Sequence, residues 1–391
     1  MDLLLKGLTW MQKSNLIKGD IRITKGMISE IDANLSPQKK ERILNFSNHY
    51  LYPGLINAHD HLEMNLYPRM GNPPYKNYME WGTDIYKPKE SPVKEIEKVS
   101  LKDRLLWGGV KNLISGVTTV VHHNPWNRFL SSGDFPVRVL KKYTWTHSLG
   151  FGKGIAKSFP KDSKIPYVIH AAEGVDEIAY SEINKLAELG LLKRNTVLIH
   201  AVASSDQNIE MLRASQASVV WCPSSNYFLF NKTAPINSLK KAVRVALGSD
   251  STLTGLPTLL DEMQFASQTK LADADEIYDQ VTLNPSLIFN LPTPSIEVNK
   301  PADLFIIPIT NKDYVQNLIN THPSSIELVL VQGVPRLCDE SIAPDLGLKK
   351  TFTKVKDVRK WISVDVQSLK KRIQKVSGKT IEENPLWKLI D

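Results

Sequence analysis

Cysteine is scarce in this sequence. Cys222 and Cys338 are the only two among 391 residues, too few for a disulfide framework, so a reducing, cytoplasmic setting is the expectation. No run of ~20 apolar residues occurs, which excludes a membrane-spanning helix from the expected elements. The opening MDLLLKGLTWMQK lacks a basic start, and its apolar run is too short to read as a signal peptide. Internal repeats and low-complexity tracts are missing. So are a phosphate-binding P-loop, a G-x-G-x-x-G following a strand and a serine-nucleophile elbow, which removes the simplest nucleotide-binding and serine-hydrolase readings. What remains is an ordinary globular composition, 42% apolar and 23% charged, in a chain long enough to bury a large core.

The formal net charge is +8, and it is unevenly placed. Residues 346–391 carry twelve lysines and arginines against five acidic residues, so this segment holds +7 of the total and the rest of the chain is nearly neutral. Residues 365–376 suit an amphipathic helix with Val366, Leu369, Ile373 and Val376 on one face. The basic residues read as a solvated helix face. Packing of the apolar end (Leu386, Trp387, Leu389, Ile390) on the body or on a second subunit is an alternative. Nucleic acid is disfavoured because few aromatics interleave the charges.

Residues 1–50 alternate as short strands with turns such as Lys25-Gly26. From about residue 51, apolar strand-like runs alternate with helical segments. The strands expected are Leu55–Ala58, Val117–Val121, Val168–Ala171, Val197–His200, Ser218–Cys222 and Val245–Gly248. The helices include Glu95–Ser115, Asp176–Leu189, Asp206–Ala214, Ile236–Ala242 and Leu259–Ala266. Such alternation argues for an α/β (β/α)8 TIM-type barrel over 51–300. Strand texture returns at Ala302–Pro308 and Ile326–Gln332, so 1–50 and 301–345 are expected to form a small composite β-sandwich, with 346–391 as a basic extension.

The chemistry-bearing residues close the apolar strands. Pro53-Gly54-Leu55-Ile56-Asn57-Ala58-His59-Asp60-His61 puts two imidazoles on the same side of a strand end, because strand side chains alternate with period two. His170-Ala171-Ala172-Glu173 ends the next strong case, His200 another, and Gly248-Ser249-Asp250 the last. Taken alone, Asp250 reads as a helix cap. In order at four strand ends, these residues read as one metal-binding centre.

The combination resembles the metal-dependent amidohydrolase superfamily, and within it the branch of cytosine, guanine and S-adenosylhomocysteine deaminases and triazine hydrolases. The resemblance runs through LYPGLINAHDH, H-x-A-E, His200, Cys222-Pro223-Ser224-Ser225-Asn226, Gly248-Ser249-Asp250-Ser251, Asn284-Pro285, Lys300-Pro301-Ala302-Asp303-Leu304 and Val331-Gln332-Gly333. It implies one divalent ion, zinc or alternatively ferrous iron, on His59, His61, His170 and Asp250. It also implies catalytic roles for Asp250 as proton acceptor, His200 as stabiliser of developing charge and Glu173 as proton donor. A binuclear arrangement needs a modified lysine at a strand end; Lys141, Lys142 and Lys153 lie in the right stretch but none closes an apolar strand.

The expected activity is hydrolysis of a non-peptide carbon–nitrogen bond, with deamination of an amino-substituted heterocycle leading. Cleavage of a cyclic amide or amidine bond is second, and a non-catalytic binding protein that kept the barrel is the rival from another class. The partner is a small-molecule substrate. One departure stands out: only 45 residues separate Val121 from Pro166. Pro136–Leu149 must then hold two strands with almost nothing between. A pocket open on that side, or closed by a second subunit in a homodimer, is the expectation. His122 and His123, Glu63, Trp81 and Asn226 are weaker candidates near the site; Asp60 and Cys222 read as structural.

Overall fold

The computed structural model describes residues 1–152, 154–349 and 352–391. Lys153 and Lys350 lie outside the described residues. Five strands open the chain: β1 (Leu3–Gln12), β2 (Asn15–Thr24), β3 (Met27–Asp32), β4 (Arg42–Asn45) and β5 (His49–Pro53). Eight follow in its middle: β6 (Leu55–Asp60), β7 (Val117–His122), β8 (Arg138–Val139), β9 (Thr144–Ser148), β10 (Tyr167–Ala171), β11 (Thr196–His200), β12 (Ser218–Trp221) and β13 (Val245–Leu247). Five close it: β14 (Leu304–Pro308), β15 (Leu328–Val331), β16 (Val334–Asp339), β17 (Phe352–Val355) and β18 (Val358–Ile362).

The middle strands make two parallel sheets, β6-β7-β8 and β9-β10-β11-β12-β13, each in chain order. Helices such as Leu101–Leu113, Glu177–Glu188 and Asp206–Ser215 connect successive strands, so the chain has an α/β fold of parallel sheets. One buried apolar cluster takes Ala58, Val121, Val168, Val197, Val220 and Ala246 from strands of both sheets. At the far edge β13 meets β6: Asp250 N donates to His59 O at 3.1 Å. Gly248 is required there, because a Cβ on it lies 2.6 Å from the His59 Cβ.

The two chain ends share a third sheet, ordered β17-β18-β16-β15-β14-β5-β1-β2-β3 with β4 on β1. The junction is the antiparallel pair β5–β14. Leu3, Leu5, Leu8, Trp10, Ile21, Leu304 and Leu328 bury its own apolar cluster.

Three expectations change in detail. The single helix Glu95–Ser115 is two, Val93–Ile96 and Leu101–Leu113. Ser100 caps the second by accepting from Asp103 N at 3.1 Å, and a cap requires the chain to leave helical geometry just before it. The shortened stretch is real: β8 has two residues and only Leu140–Tyr143 precede β9. Its side of the molecule is covered from within the chain. Helix Tyr78–Ile85, from the long connection after β6, packs there, with Tyr78 against Phe151 at 5.5 Å between rings. The Tyr78 hydroxyl accepts from Gly150 N at 2.8 Å.

The basic segment packs on the body. β17 and β18 lengthen the ten-stranded sheet, and Val366, Leu369, Ile373, Ile381, Leu386 and Ile390 are buried in the main apolar cluster. Val376 is exposed and Ser377 is buried in its place at the helix end. Among the described residues of this segment Lys360 is the buried cation, paired with Asp339, while Lys354, Lys356, Arg359, Lys371, Arg372, Lys375, Lys379 and Lys388 face solvent.

Candidate active site and metal centre

Parallel strands all end on one side, and there the polar residues converge. His59 and His61 come from the end of β6, His170 from β10, His200 from β11 and Asp250 from the turn after β13. The Nε2 atom of His170 lies 3.3 Å from the Nε2 atoms of both His59 and His61. Asp250 Oδ1 lies 3.8 Å from those of His59 and His61. His200 joins His59 and His170 within the same compass. All six sequence-designated residues, Glu173 included, are therefore brought together, and all are buried.

The tautomers decide what this cluster can hold. His170 Nδ1 lies 2.7 Å from the carbonyl of His147, and His61 Nδ1 lies 3.0 Å from the side-chain oxygen of Asn124. Each Nδ1 must carry the proton, which leaves Nε2 with a bare lone pair. Two lone pairs facing each other at 3.3 Å repel unless a cation lies between them. Two nitrogens each ~2.1 Å from one ion, at a near-tetrahedral angle, stand ~3.4 Å apart. The donor set fits a divalent ion. Burial first, then mutual repulsion among the rings, pushes His59 and His170 well below the ordinary imidazole range, keeping them neutral and able to coordinate.

Asp250 stays ionised. Burial opposes that, but the facing His61 and His200 rings and the hydroxyls of Ser225 (2.9 Å) and Thr254 (3.0 Å), which donate to its carboxylate, outweigh it. Glu173 goes the other way. Burial, with the nearby carboxylates of Asp250 and Glu182, holds its carboxyl well above the usual range, which favours the protonated form. Its Oε1 lies 3.4 Å from His200 Nε2. His200 in turn is oriented through Nδ1 by the Asn226 side-chain oxygen at 2.8 Å. Left-handed backbone at His200 (φ 75°) and Asp250 (φ 50°) marks both as held in a costly conformation, as functional groups often are.

A buried network supports these groups from behind. Asp60 accepts from Asn65 at 2.7 Å and Asn112 at 2.8 Å, and pairs with Lys111 at 3.3 Å. Lys111 also donates to the Asp250 carbonyl at 2.8 Å. The reading of Asp60 as structural matches this geometry. Lys111, 1% exposed, had no signal in the sequence, where a lysine in a helix reads as solvated. His123 stacks on His170 at 4.3 Å between rings and bonds the Thr146 carbonyl through Nε2. Asn226 shapes His200 rather than lining the cavity, and Cys222 is a buried thiol whose pKa burial pushes up. Among the described residues, Lys141 lies over the Trp126 ring and Lys142 is exposed, so neither supplies a bridging group.

A cavity of about 700 Å³ opens from the cluster, within the range of small-molecule sites. Its floor is polar: His61, His147, His170, Glu173, His200 and Asp250. Its walls are largely apolar, with Met64, Tyr67, Trp81, Ile85, Phe151 and Leu253, and with Glu63, Glu97 and Arg104 as charged exceptions. Glu63 and Trp81 thus line the cavity as the sequence suggested.

Residues 151–335 match the amidohydrolase family. The resemblance read from the sequence is borne out. A 5-methylthioadenosine/S-adenosylhomocysteine deaminase of Pyrococcus furiosus is 26% identical over 358 residues, covering 75% of this chain and 82% of that protein. The fold is similar to that of a zinc-bound adenosine deaminase from Xanthomonas campestris (TM-score 0.73, 17% identity, 97% of this chain and 98% of that one). It is also similar to that of atrazine chlorohydrolase from Arthrobacter aurescens TC1 complexed with zinc (TM-score 0.72, 14% identity, 96% and 100%). An amidohydrolase-type hydrolase of carbon–nitrogen bonds, metal-dependent and deaminase-like, is what these matches support. No helix among the described residues is long and apolar enough to cross a membrane.

Proposed function

We propose that this chain hydrolytically deaminates an amino-substituted heterocycle, with adenosine-type nucleosides and thionucleosides as the substrate class to test first. One observation carries the reading: a buried Glu173, its Oε1 3.4 Å from His200 Nε2, beside a cluster of three imidazoles and one carboxylate. His59, His61, His170 and Asp250 are the residues to hold the ion. Zinc suits this donor set and ferrous iron is the alternative. A divalent ion there supplies Lewis acidity and acidifies a water towards neutral pH. The ionised Asp250 accepts a proton at its carboxylate. Glu173 delivers its proton to a ring nitrogen of the substrate, the proton taken up by Asp250 passes to the leaving amine, and the hydroxyl proton lost as the carbonyl forms returns to Glu173. His200, oriented by Asn226 through Nδ1, turns Nε2 towards the reacting oxygen and accepts a hydrogen bond from the attacking hydroxyl there. The apolar walls exclude bulk water and offer aromatic faces to a flat ring.

The same reading takes the two parallel sheets as one closed (β/α)8 barrel over 51–300, with 1–50 and 301–345 as a composite β-sandwich and 346–391 as an added segment. The deciding experiment is ammonia release from a panel of aminated purines, pyrimidines, pterins and triazines, using protein reconstituted with zinc or iron. Release from at least one class, with one ion held per chain, is expected. A silent panel together with clearly less than one ion per chain overturns the proposal.

A further inference from the structure

The C-terminal segment contributes one side chain to the innermost network of the site. Asn384 is fully buried. Its Nδ2 donates to the carbonyls of Asn65 (3.0 Å) and Tyr67 (2.7 Å) and approaches the Thr252 hydroxyl at 3.4 Å. These partners belong to the two loops that carry the strand-end residues. Asn65 lies in the turn after His61, and donates to Asp60 Oδ1 at 2.7 Å and to the His61 carbonyl at 3.2 Å. Thr252 follows Asp250 by two residues. Its N–H donates to Asn65 Oδ1 at 3.2 Å and its hydroxyl to the Tyr67 carbonyl at 2.7 Å. One amide therefore closes a ring of hydrogen bonds joining the end of β6 to the turn after β13.

Other contacts seat that amide firmly. Asn384 Oδ1 accepts from Trp387 N at 3.0 Å, capping helix Pro385–Leu389. Trp387 packs on the buried Trp107 at 5.3 Å between rings. Trp107 lies on helix Leu101–Leu113, one turn before Lys111. A buried amide whose donors all find acceptors rigidifies what it joins, because opening the ring strands polar groups away from water.

We infer that Asn384 is a positioning residue for the reaction centre: the C-terminal segment locks the His61 loop to the Asp250 loop and so fixes the spacing of the groups they carry. This rests on reading that cluster as the reaction centre. The atom-level roles of Asn384 are separable. Asn384→Asp keeps Oδ1 as the helix cap but replaces the donating amide with an acceptor facing three oxygens. Thr252→Val removes the hydroxyl from the same ring without touching the C-terminal segment.

The test is hydrogen exchange followed by kinetics, both on the full chain. In N384D, and to a smaller degree in T252V, amides of residues 60–67 and 250–254 should exchange at least tenfold faster, while those of β10 and β11 stay protected. Zinc added to the protein should be lost faster to a chelator. Turnover should fall mainly in kcat, by about tenfold to a hundredfold. The two lesions should be less than additive, since each opens the same ring. Unchanged exchange in both peptides of N384D, with unchanged zinc retention, overturns the inference and leaves Asn384 as a helix cap. Global unfolding of N384D shifts the decision to T252V, where unchanged exchange at 60–67 is equally fatal. The exchange readout needs no substrate, so a failed deamination screen and a failed clamp are told apart.

Discussion

The strand ends of the body and the C-terminal segment meet at the same two loops, yet they were built by different means. The strand ends hold their polar residues in a pattern visible along the chain: an imidazole or carboxylate closing each apolar run. The C-terminal segment holds nearly all of the net charge, and almost none of that charge touches the site. What it brings is one neutral amide and a row of buried apolar residues. The comparison teaches that formal charge was a poor guide to which part of this molecule matters to its chemistry. Burial and hydrogen-bond complementarity were the better guide, because a buried donor must be satisfied whereas a surface lysine is merely hydrated.

The comparison can be broken most sharply at the strand ends. Replacing His59 or Asp250 with alanine should lower kcat/KM by ~10³-fold or more, since the charge stabilisation an ion offers is worth several kcal/mol. Metal content measured after dialysis should fall well below one ion per chain. Retention of a full equivalent in both variants breaks the assignment of ligands.

Next comes Glu173→Gln, which keeps shape but removes the transferable proton; ammonia release should drop by ~10²–10⁴-fold. Because burial raises the Glu173 pKa, its acid form persists to higher pH than that of an ordinary carboxyl and is lost as pH rises through the raised value. The wild-type pH–rate profile should therefore show an alkaline limb that the variant lacks.

A smaller effect is expected in stability. Burial raises the Glu262 carboxyl to about 7 from an ordinary value of 4.5. A group whose pKa is raised on folding stabilises the fold fully below 4.5, and that contribution is lost as pH rises through about 7. Denaturant midpoints of Glu262→Gln measured from pH 4 upwards should depend less on pH than those of the parent. An equal slope in both removes Glu262 as the source. The smallest effect belongs to Arg372→Ala, which breaks an exposed ion pair with Asp103 on the outer face of the C-terminal helix. Stability should change by less than ~0.5–1 kcal/mol, with turnover unaffected. A large loss of turnover would place the basic face, after all, within the working part of the molecule.

Much of the site was legible before any coordinates. The six designated residues could be found because an apolar run of strand length ends where the chain leaves the sheet, and parallel strands present all such ends on one side. Gly248 was legible as part of a motif, though not its reason, the contact with His59. The split at Ser100 was harder: Ser-Leu-Lys-Asp is a cap signal lying inside an otherwise helical pattern. Lys111, Asn65 and Thr252 carried no signal at all, since their meaning lies in partners far along the chain.

The alternation of strands and helices, the order of the strand-end histidines and carboxylates and the location of the basic charge could all be read along the chain. Each of these follows from periodicity, chemistry and composition within a short window. Only the tertiary structure decided that helix Tyr78–Ile85 covers the shortened stretch before β10. Only it decided that Lys111 is buried behind Asp250, and that Asn384 reaches Asn65 across 319 residues of chain. The physical reason is the same in each case. A hydrogen bond or a packed ring depends on two surfaces brought together by the fold, and neither partner's local sequence records the other.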